Sequence, residues 1–194
     1  ADVINNDRFE QITGETRIYF GQSKGQVKDS ELPVPRVIRL KVGTKVLLCA
    51  NNVNAGYVNG DQGTVVSIME DKVIVELNNG SKVIVENFNW TFYEYQATDE
   101  GVKAVEVGSY KNLPIKLGYA ITIHKSQGMS IEYLALFLGN GCFSHGQLYV
   151  ALSRMKDVEK FTLLDEIRVK DSIVDKRVKN FYEQSKINDL LSLM

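Results

Sequence analysis

The stretch that most constrains this chain runs from Leu113 to Glu132, where an apolar segment ends abruptly on Thr122-Ile123-His124-Lys125-Ser126-Gln127-Gly128. Leu117 to Ile123 reads as a buried strand, and Thr122 is placed to cap a short helical turn. Such a turn gathers a His, a Lys, two neutral donors and free backbone N–H groups at the end of a strand. Open α/β sheets bind phosphorylated ligands at such places. The competing reading is an ordinary strand–loop–helix crossover with a solvated polar turn.

The pattern on either side of Leu113 differs. Upstream, Lys72-Val73-Ile74-Val75-Glu76-Leu77 and Lys82-Val83-Ile84-Val85-Glu86 flank Asn78-Asn79-Gly80-Ser81, which predicts a β-hairpin. Strands are also predicted over 16–20, 45–50, 64–69 and the aromatic run Trp90-Thr91-Phe92-Tyr93-Glu94-Tyr95, with Ile38, Leu40 and Val42 alternating. Short strands joined by tight turns predict a small barrel or curled sheet. The aromatic residues are expected to pack in it. Residues 1–12 space Val3, Ile4, Phe9 and Ile12 as one helical face, and 21–35 show no periodicity and read as a surface connection.

Downstream of Leu113 the order becomes α/β: a strand over 115–122, the polar turn, a strand over 133–138, a Gly-rich loop, a helix over 145–154 and a strand over 160–164, the strands parallel. Ser144 and Gln147 are spaced as a capping box. Val169, Ile173, Val174, Val178 and Phe181 predict a final amphipathic helix packed on the sheet. Gly139-Asn140-Gly141 is not a phosphate loop, because it lacks Gly-x-x-x-x-Gly-Lys-Ser/Thr.

Composition narrows the function classes. The 194 residues are 44% hydrophobic and 24% charged, with no run as long as a membrane span, so a globular cytoplasmic protein without a membrane partner is expected. A net charge of −1 argues against a protein that coats nucleic acid, though local basic patches stay open. Cys49 and Cys142 stand alone, and His124 and His145 have no acidic partners at ligand spacing, so no metal site is expected.

Ala120-Ile121-Thr122-Ile123-His124-Lys125-Ser126-Gln127-Gly128 resembles motif V of the RecD/Pif/Dda branch of superfamily-one DNA helicases, and Gly146-Gln147-Leu148-Tyr149-Val150-Ala151-Leu152-Ser153-Arg154 resembles motif VI. The Leu-Lys-x-Gly-x-x-Val-x-Leu of Leu40–Leu48 and Asn59-Gly60-Asp61-Gln62-Gly63 are family patterns too. Asp2-Val3-Ile4-Asn5 resembles the segment just after motif IV, which implies a preceding strand that this chain does not contain. Ser130 stands where some relatives carry Glu, the acid coming only at Glu132, which favours the Pif/Dda-like over the RecD-like pattern.

The resemblance implies the second half of a helicase motor. Its fold would be a RecA-like parallel sheet with helices, residues 1–56 and 113–194, carrying an inserted small Src-homology-3-like β-barrel at 57–112. It would be an α/β protein acting as the C-terminal half of an ATP-dependent DNA helicase working 5′ to 3′. Arg154 is the catalytic candidate, an arginine finger whose planar charge suits the oxygens of a transferring phosphoryl group. The competing role for Arg154 is a salt bridge at a helix C-terminus. Gly128, Gln147 and Arg154 would face the nucleotide, and Thr122, His124, Lys125 and Ser126 the single-stranded DNA. By analogy Trp90, Phe92, Tyr93 and Tyr95 would lie beside the DNA path. A Walker lysine, a metal-holding carboxylate and a water-positioning residue are not recognisable. ATP and Mg would therefore bind only together with the N-terminal RecA-like half, and the isolated chain is expected to be inactive. The alternative is a non-enzymatic nucleic-acid-binding module.

Overall fold

A computed structural model describes residues 1–98 and 101–192. The chain packs as two compact units, Ala1–Ala120 and Ile121–Met194.

In the first unit, α1 (Asp2–Glu10) carries Asp2 in its first turn, which suits the helix dipole, and both Arg8 and Glu10 in its last. Its buried side is Asn5 and Phe9, one helical turn apart, whereas Val3 and Ile4 face solvent. The expected face of Val3, Ile4, Phe9 and Ile12 is therefore corrected. A polar residue can be buried here because the Asn5 Nδ2 donates to the Ala120 carbonyl at 2.8 Å while Oδ1 accepts the Ala120 N–H at 2.8 Å. Lys41 is buried as well. Its Nζ lies 4.7 Å from the Phe9 ring centroid and donates to the Ile12 carbonyl at 2.7 Å and the Phe9 carbonyl at 3.4 Å. A cation thereby satisfies carbonyls at the negative end of the helix.

Strands β1 (Arg17–Phe20) and β2 (Gln22–Gly25) follow, and β3 (Val37–Leu40) pairs antiparallel with β1. The surface connection expected over 21–35 thus contains a strand. Next come β4 (Lys45–Leu48), β5 (Gln62–Ile68), β6 (Lys72–Leu77) and β7 (Lys82–Glu86), the last two forming the predicted hairpin. Val73 pairs with Val85 and Val75 with Val83, all buried, while the Ile74–Ile84 pair alternates to the outer face. Strands β8 (Phe88–Thr98) and β9 (Gly101–Asn112) make a long hairpin to which β2 adds, giving the order β2-β9-β8. Finally β10 (Ile115–Leu117) returns antiparallel beside β4, so the larger sheet runs β10-β4-β5-β6-β7.

Of the small barrel or curled sheet expected, the described residues form an open five-stranded sheet with β10 and β7 at its edges, and no closed barrel. The strand expected over 115–122 also differs. It ends at Leu117 and joins the antiparallel sheet, because its side chains complete the core shared by the three sheets of this unit. That core includes Leu40, Leu48, Val65, Val75, Tyr110 and Ile115. The aromatic strand splits between two environments. Trp90 and Phe92 pack against this core, and Tyr93 and Tyr95 stand exposed on the hairpin arm beyond a register shift at Phe92/Tyr93.

In the second unit, β11 (Leu134–Leu136) and β12 (Phe161–Leu163) form a parallel pair, separated in sequence by α2 (Gln147–Leu152), and α3 (Lys176–Ser192) follows. Short 3₁₀ turns occupy 124–126, 158–160 and 169–171. The N-cap of α2 is Gly146 in the left-handed region rather than Ser144. Half of the expected capping box survives, since Gln147 Oε1 accepts the N–H groups of Ser144 at 3.2 Å and Phe143 at 3.0 Å. Val169, Val174, Val178 and Phe181 are exposed, so the predicted apolar packing of the final helix is corrected: few apolar residues are buried in this unit to receive it. Its described buried residues are Leu136, Ala151, Ser126 and Asp171, two of them polar.

Candidate nucleotide and nucleic-acid site

The polar turn is built from local hydrogen bonds. The Thr122 carbonyl accepts the Ser126 N–H at 3.1 Å, closing one turn, and Thr122 Oγ1 takes the Lys125 N–H in a long 3.4 Å bond. The expected Thr122 cap is thus present and weak. Ser126 is buried, and its hydroxyl donates to the Ile123 carbonyl at 2.7 Å. Thr122, His124 and Lys125 face solvent. The next four residues form a type II turn. Gln127 has φ −59° and ψ 130°, Gly128 has φ +83°, and the Met129 N–H reaches the Ser126 carbonyl at 2.9 Å. A Cβ on Gly128 would meet open space, so glycine serves the positive φ and not a close contact.

Arg154 ties this loop to the end of α2. Its Nη1 donates to the Met129 carbonyl at 2.9 Å, Nε to the Val150 carbonyl at 3.1 Å and Nη2 to Ser153 Oγ at 3.0 Å. The main chain repeats the link, with the Ile131 N–H donating to the Arg154 carbonyl at 2.8 Å and the Lys156 N–H to the Ile131 carbonyl at 3.2 Å. Among the described residues no carboxylate pairs with the guanidinium. The salt bridge weighed for Arg154 is absent there, while its bond to a last-turn carbonyl is a C-terminal cap. Three of its five N–H groups are engaged.

The segments resembling motifs V and VI therefore lie side by side. Gln147 sits at the opposite end of α2 from Arg154, seven residues or roughly 10 Å along the axis. It is joined to the polar turn by a different route. Phe143, whose N–H it accepts, lies with its ring centroid 6.2 Å from that of His124.

The glycine-rich loop behind the site is filled from within. Asp165 accepts the N–H groups of Leu138 at 2.9 Å and Gly139 at 2.7 Å, and Asp171 accepts that of Cys142 at 3.0 Å. Donors that a phosphate would need are thus held by two aspartates. Hydrogen bonds from the Arg168 and Cys142 N–H groups keep the Asp171 carboxyl below the usual carboxylate range. Burial pushes the Cys142 thiol up, and the Asp171 charge adds to this. On the rim, Lys160 bonds Glu132 at 2.6 Å, which lowers the Glu132 carboxyl and raises the lysine. Met129, Phe143 and Asp171 escape sequence reasoning, since two act through backbone groups and nothing in the sequence marks Asp171 as buried.

No group of three or more His, Cys, Asp or Glu among the described residues is arranged to hold a metal ion, and no described helix is long and apolar enough to cross a membrane. The donor set is a guanidinium, a lysine, an imidazole, an amide and a glycine turn. It suits anionic oxygens.

The fold and site together define a mixed α/β protein with donor-rich polar loops in its second unit. No protein-family profile matches the chain. The ATP-dependent DNA helicase Pif1 of Campylobacter jejuni is 30% identical over 208 residues, covering 96% of this chain and 46% of the relative. The structure of unliganded Pif1 from Bacteroides sp superposes with a TM-score of 0.83 at 30% identity, over 95% of this chain and 43% of that one. Bacteroides Pif1 in complex with ADP-AlF3 and single-stranded DNA gives 0.76 at 30% identity, over 95% and 42%. The chain is thus homologous along nearly its whole length to Pif1-type superfamily-one helicases, and it spans less than half of each of these proteins.

Proposed function

We propose that this chain is the C-terminal motor half of an ATP-dependent DNA helicase that unwinds 5′ to 3′ in the cytoplasm. Residues 1–56 and 113–194 form its RecA-like part, and 57–112 are an insertion. Arg154 acts as the arginine finger. Gly128, Gln147 and Arg154 face a nucleotide that binds with Mg only when the N-terminal RecA-like half completes the cleft. Thr122, His124 and Lys125 line the path of single-stranded DNA, and Ser126 serves that path by fixing the turn from inside. Bound ATP supplies the phosphoryl group to be transferred, and Arg154 offers charge to its oxygens. The observation that carries this reading is the bond from Arg154 to the Met129 carbonyl, which puts the guanidinium on the loop that presents His124 and Lys125. A side chain so placed can report events at a nucleotide to a DNA-facing turn.

Oligothymidylate binding to the chain, followed by anisotropy across a salt series, tests the DNA half of the proposal. Few phosphate contacts predict weak, sequence-independent binding and a shallow salt dependence, each contact contributing a log–log slope of about −0.7. Lys125→Ala is expected to weaken affinity and to reduce the slope by about one such step. Tighter binding to duplex than to single strand, or a slope unchanged by Lys125→Ala, would remove Lys125 from the path.

A further inference from the structure

Asp171 lies outside both motif-like segments, on the 3₁₀ turn at 169–171, and its side chain is 1% exposed. A buried carboxylate needs donors, and those it has belong to two segments: the Arg168 N–H at 2.8 Å on its own turn, with Arg168 Nε at 3.6 Å, and the Cys142 N–H at 3.0 Å on the glycine-rich loop. The loop is shaped to receive it. Gly141 has φ +103°, and a Cβ there would overlap Asp171 Oδ1 and lie 3.3 Å from Arg168 Nη2. Only glycine combines that backbone angle with so close an approach.

The two residues after Cys142 lead to the site. The Phe143 and Ser144 N–H groups converge on Gln147 Oε1, and the Phe143 ring lies against that of His124. We infer that Asp171 is a positioning residue: by accepting the Cys142 N–H and lying close against Gly141 it sets the course of Phe143 and Ser144, and through them the orientation of the Gln147 amide and the His124 imidazole. This rests on the reading of Gln147 and His124 given above. One buried acid thereby aligns a nucleotide-facing group and a DNA-facing group at once. Positions removed from a ligand commonly change its binding through packed and hydrogen-bonded neighbours.

Asp171→Asn in the full chain tests this, because it keeps the volume and one acceptor while turning the other into a donor that opposes an N–H. Expected in ¹⁵N-resolved spectra are unchanged β11 and β12 amides, loss of exchange protection at Phe143 and Ser144, and displaced Gln147 side-chain and His124 ring resonances. The dissociation constant for oligothymidylate should rise about two- to thirtyfold. Gly141→Ala, which displaces the same carboxylate, should move the same resonances. A change confined to Cys142 and Arg168, with Gln147, His124 and DNA affinity as in the unsubstituted chain, would overturn the inference. If Asp171→Asn does not fold, exchange in the unsubstituted chain decides: Cys142, Phe143 and Ser144 should open with one protection factor, and much faster exchange at Phe143 and Ser144 would refute the coupling. An unsubstituted chain that fails to bind oligothymidylate would count against the helicase reading alone, and the resonance comparison would still judge Asp171.

Discussion

Arg154→Ala, placed in a protein that joins this chain to a Walker-bearing N-terminal half, is expected to lower DNA-stimulated ATP turnover by about 10³- to 10⁵-fold, the range attributed to arginine fingers. The competing role is structural, since Arg154 also bonds the carbonyls of Val150 and Met129. Hydrogen bonds from a charged group contribute roughly 1.5–3 kcal/mol to stability each. Their loss would lower the melting temperature and loosen the 128–131 loop, without by itself abolishing chemistry in molecules that remain folded. Arg154→Lys separates the two roles further. It keeps a charge near the loop but loses the planar fork, so turnover should stay low while stability partly recovers. Near-normal turnover by Arg154→Ala alongside a lowered melting temperature would make the residue a C-terminal cap and nothing more.

Tyr110→Ala is expected to destabilise the first unit by about 3–5 kcal/mol, the range for removing a large aromatic ring from a core. Tyr110 is fully buried on β9. Trp90 stacks on it with centroids 5.9 Å apart and planes 22° apart, and its hydroxyl donates to the Pro35 carbonyl at 2.8 Å. Asn112 Nδ2 donates to the same carbonyl at 2.9 Å and to the Tyr110 hydroxyl at 3.0 Å, so truncation opens a cavity and leaves the amide short of an acceptor. Burial raises the Tyr110 phenol pKa, consistent with a neutral hydroxyl acting as donor. Trp90 is the only tryptophan of the chain, so urea unfolding followed by its fluorescence reads the first unit selectively. Tyr110→Phe should cost less, about 1–3 kcal/mol for the lost hydrogen bonds. Equal, small effects of both substitutions would mean that the β2-β9-β8 sheet adds little to the core.

What the sequence discloses about this chain follows burial. The 72–86 hairpin is legible because Val73, Val75, Val83 and Val85 all face one core, which stamps period two on the residues. Strand β2 is exposed at all four positions and leaves no such stamp. The outer half of β9 is hidden for the same reason, as it runs on the hairpin arm beyond the core. Whether a sheet closes is set by its two edges, and no periodicity within a strand records whether β7 and β10 meet. Asn5 and Lys41 show another limit: polar residues are buried because particular backbone groups await them, Ala120 in one case and the end of α1 in the other. In the second unit the motif-like segments lie side by side, and the parallel β11–β12 pair agrees with the expected α/β order. The placing of Phe143 beside His124 and of the acid that accepts the Cys142 N–H depends on contacts spanning 19 and 29 residues, which local pattern does not carry.

ATP hydrolysis is to be measured with the chain alone, with the N-terminal half of a Pif1-type helicase alone, and with the two together in the presence of oligothymidylate. Background rates are expected for the chain by itself, with a DNA-stimulated rate that appears only in the mixture or the joined protein and is lost with Arg154→Ala. DNA-stimulated turnover by the pure chain, or a complete protein whose turnover is indifferent to Arg154, would contradict the proposed function.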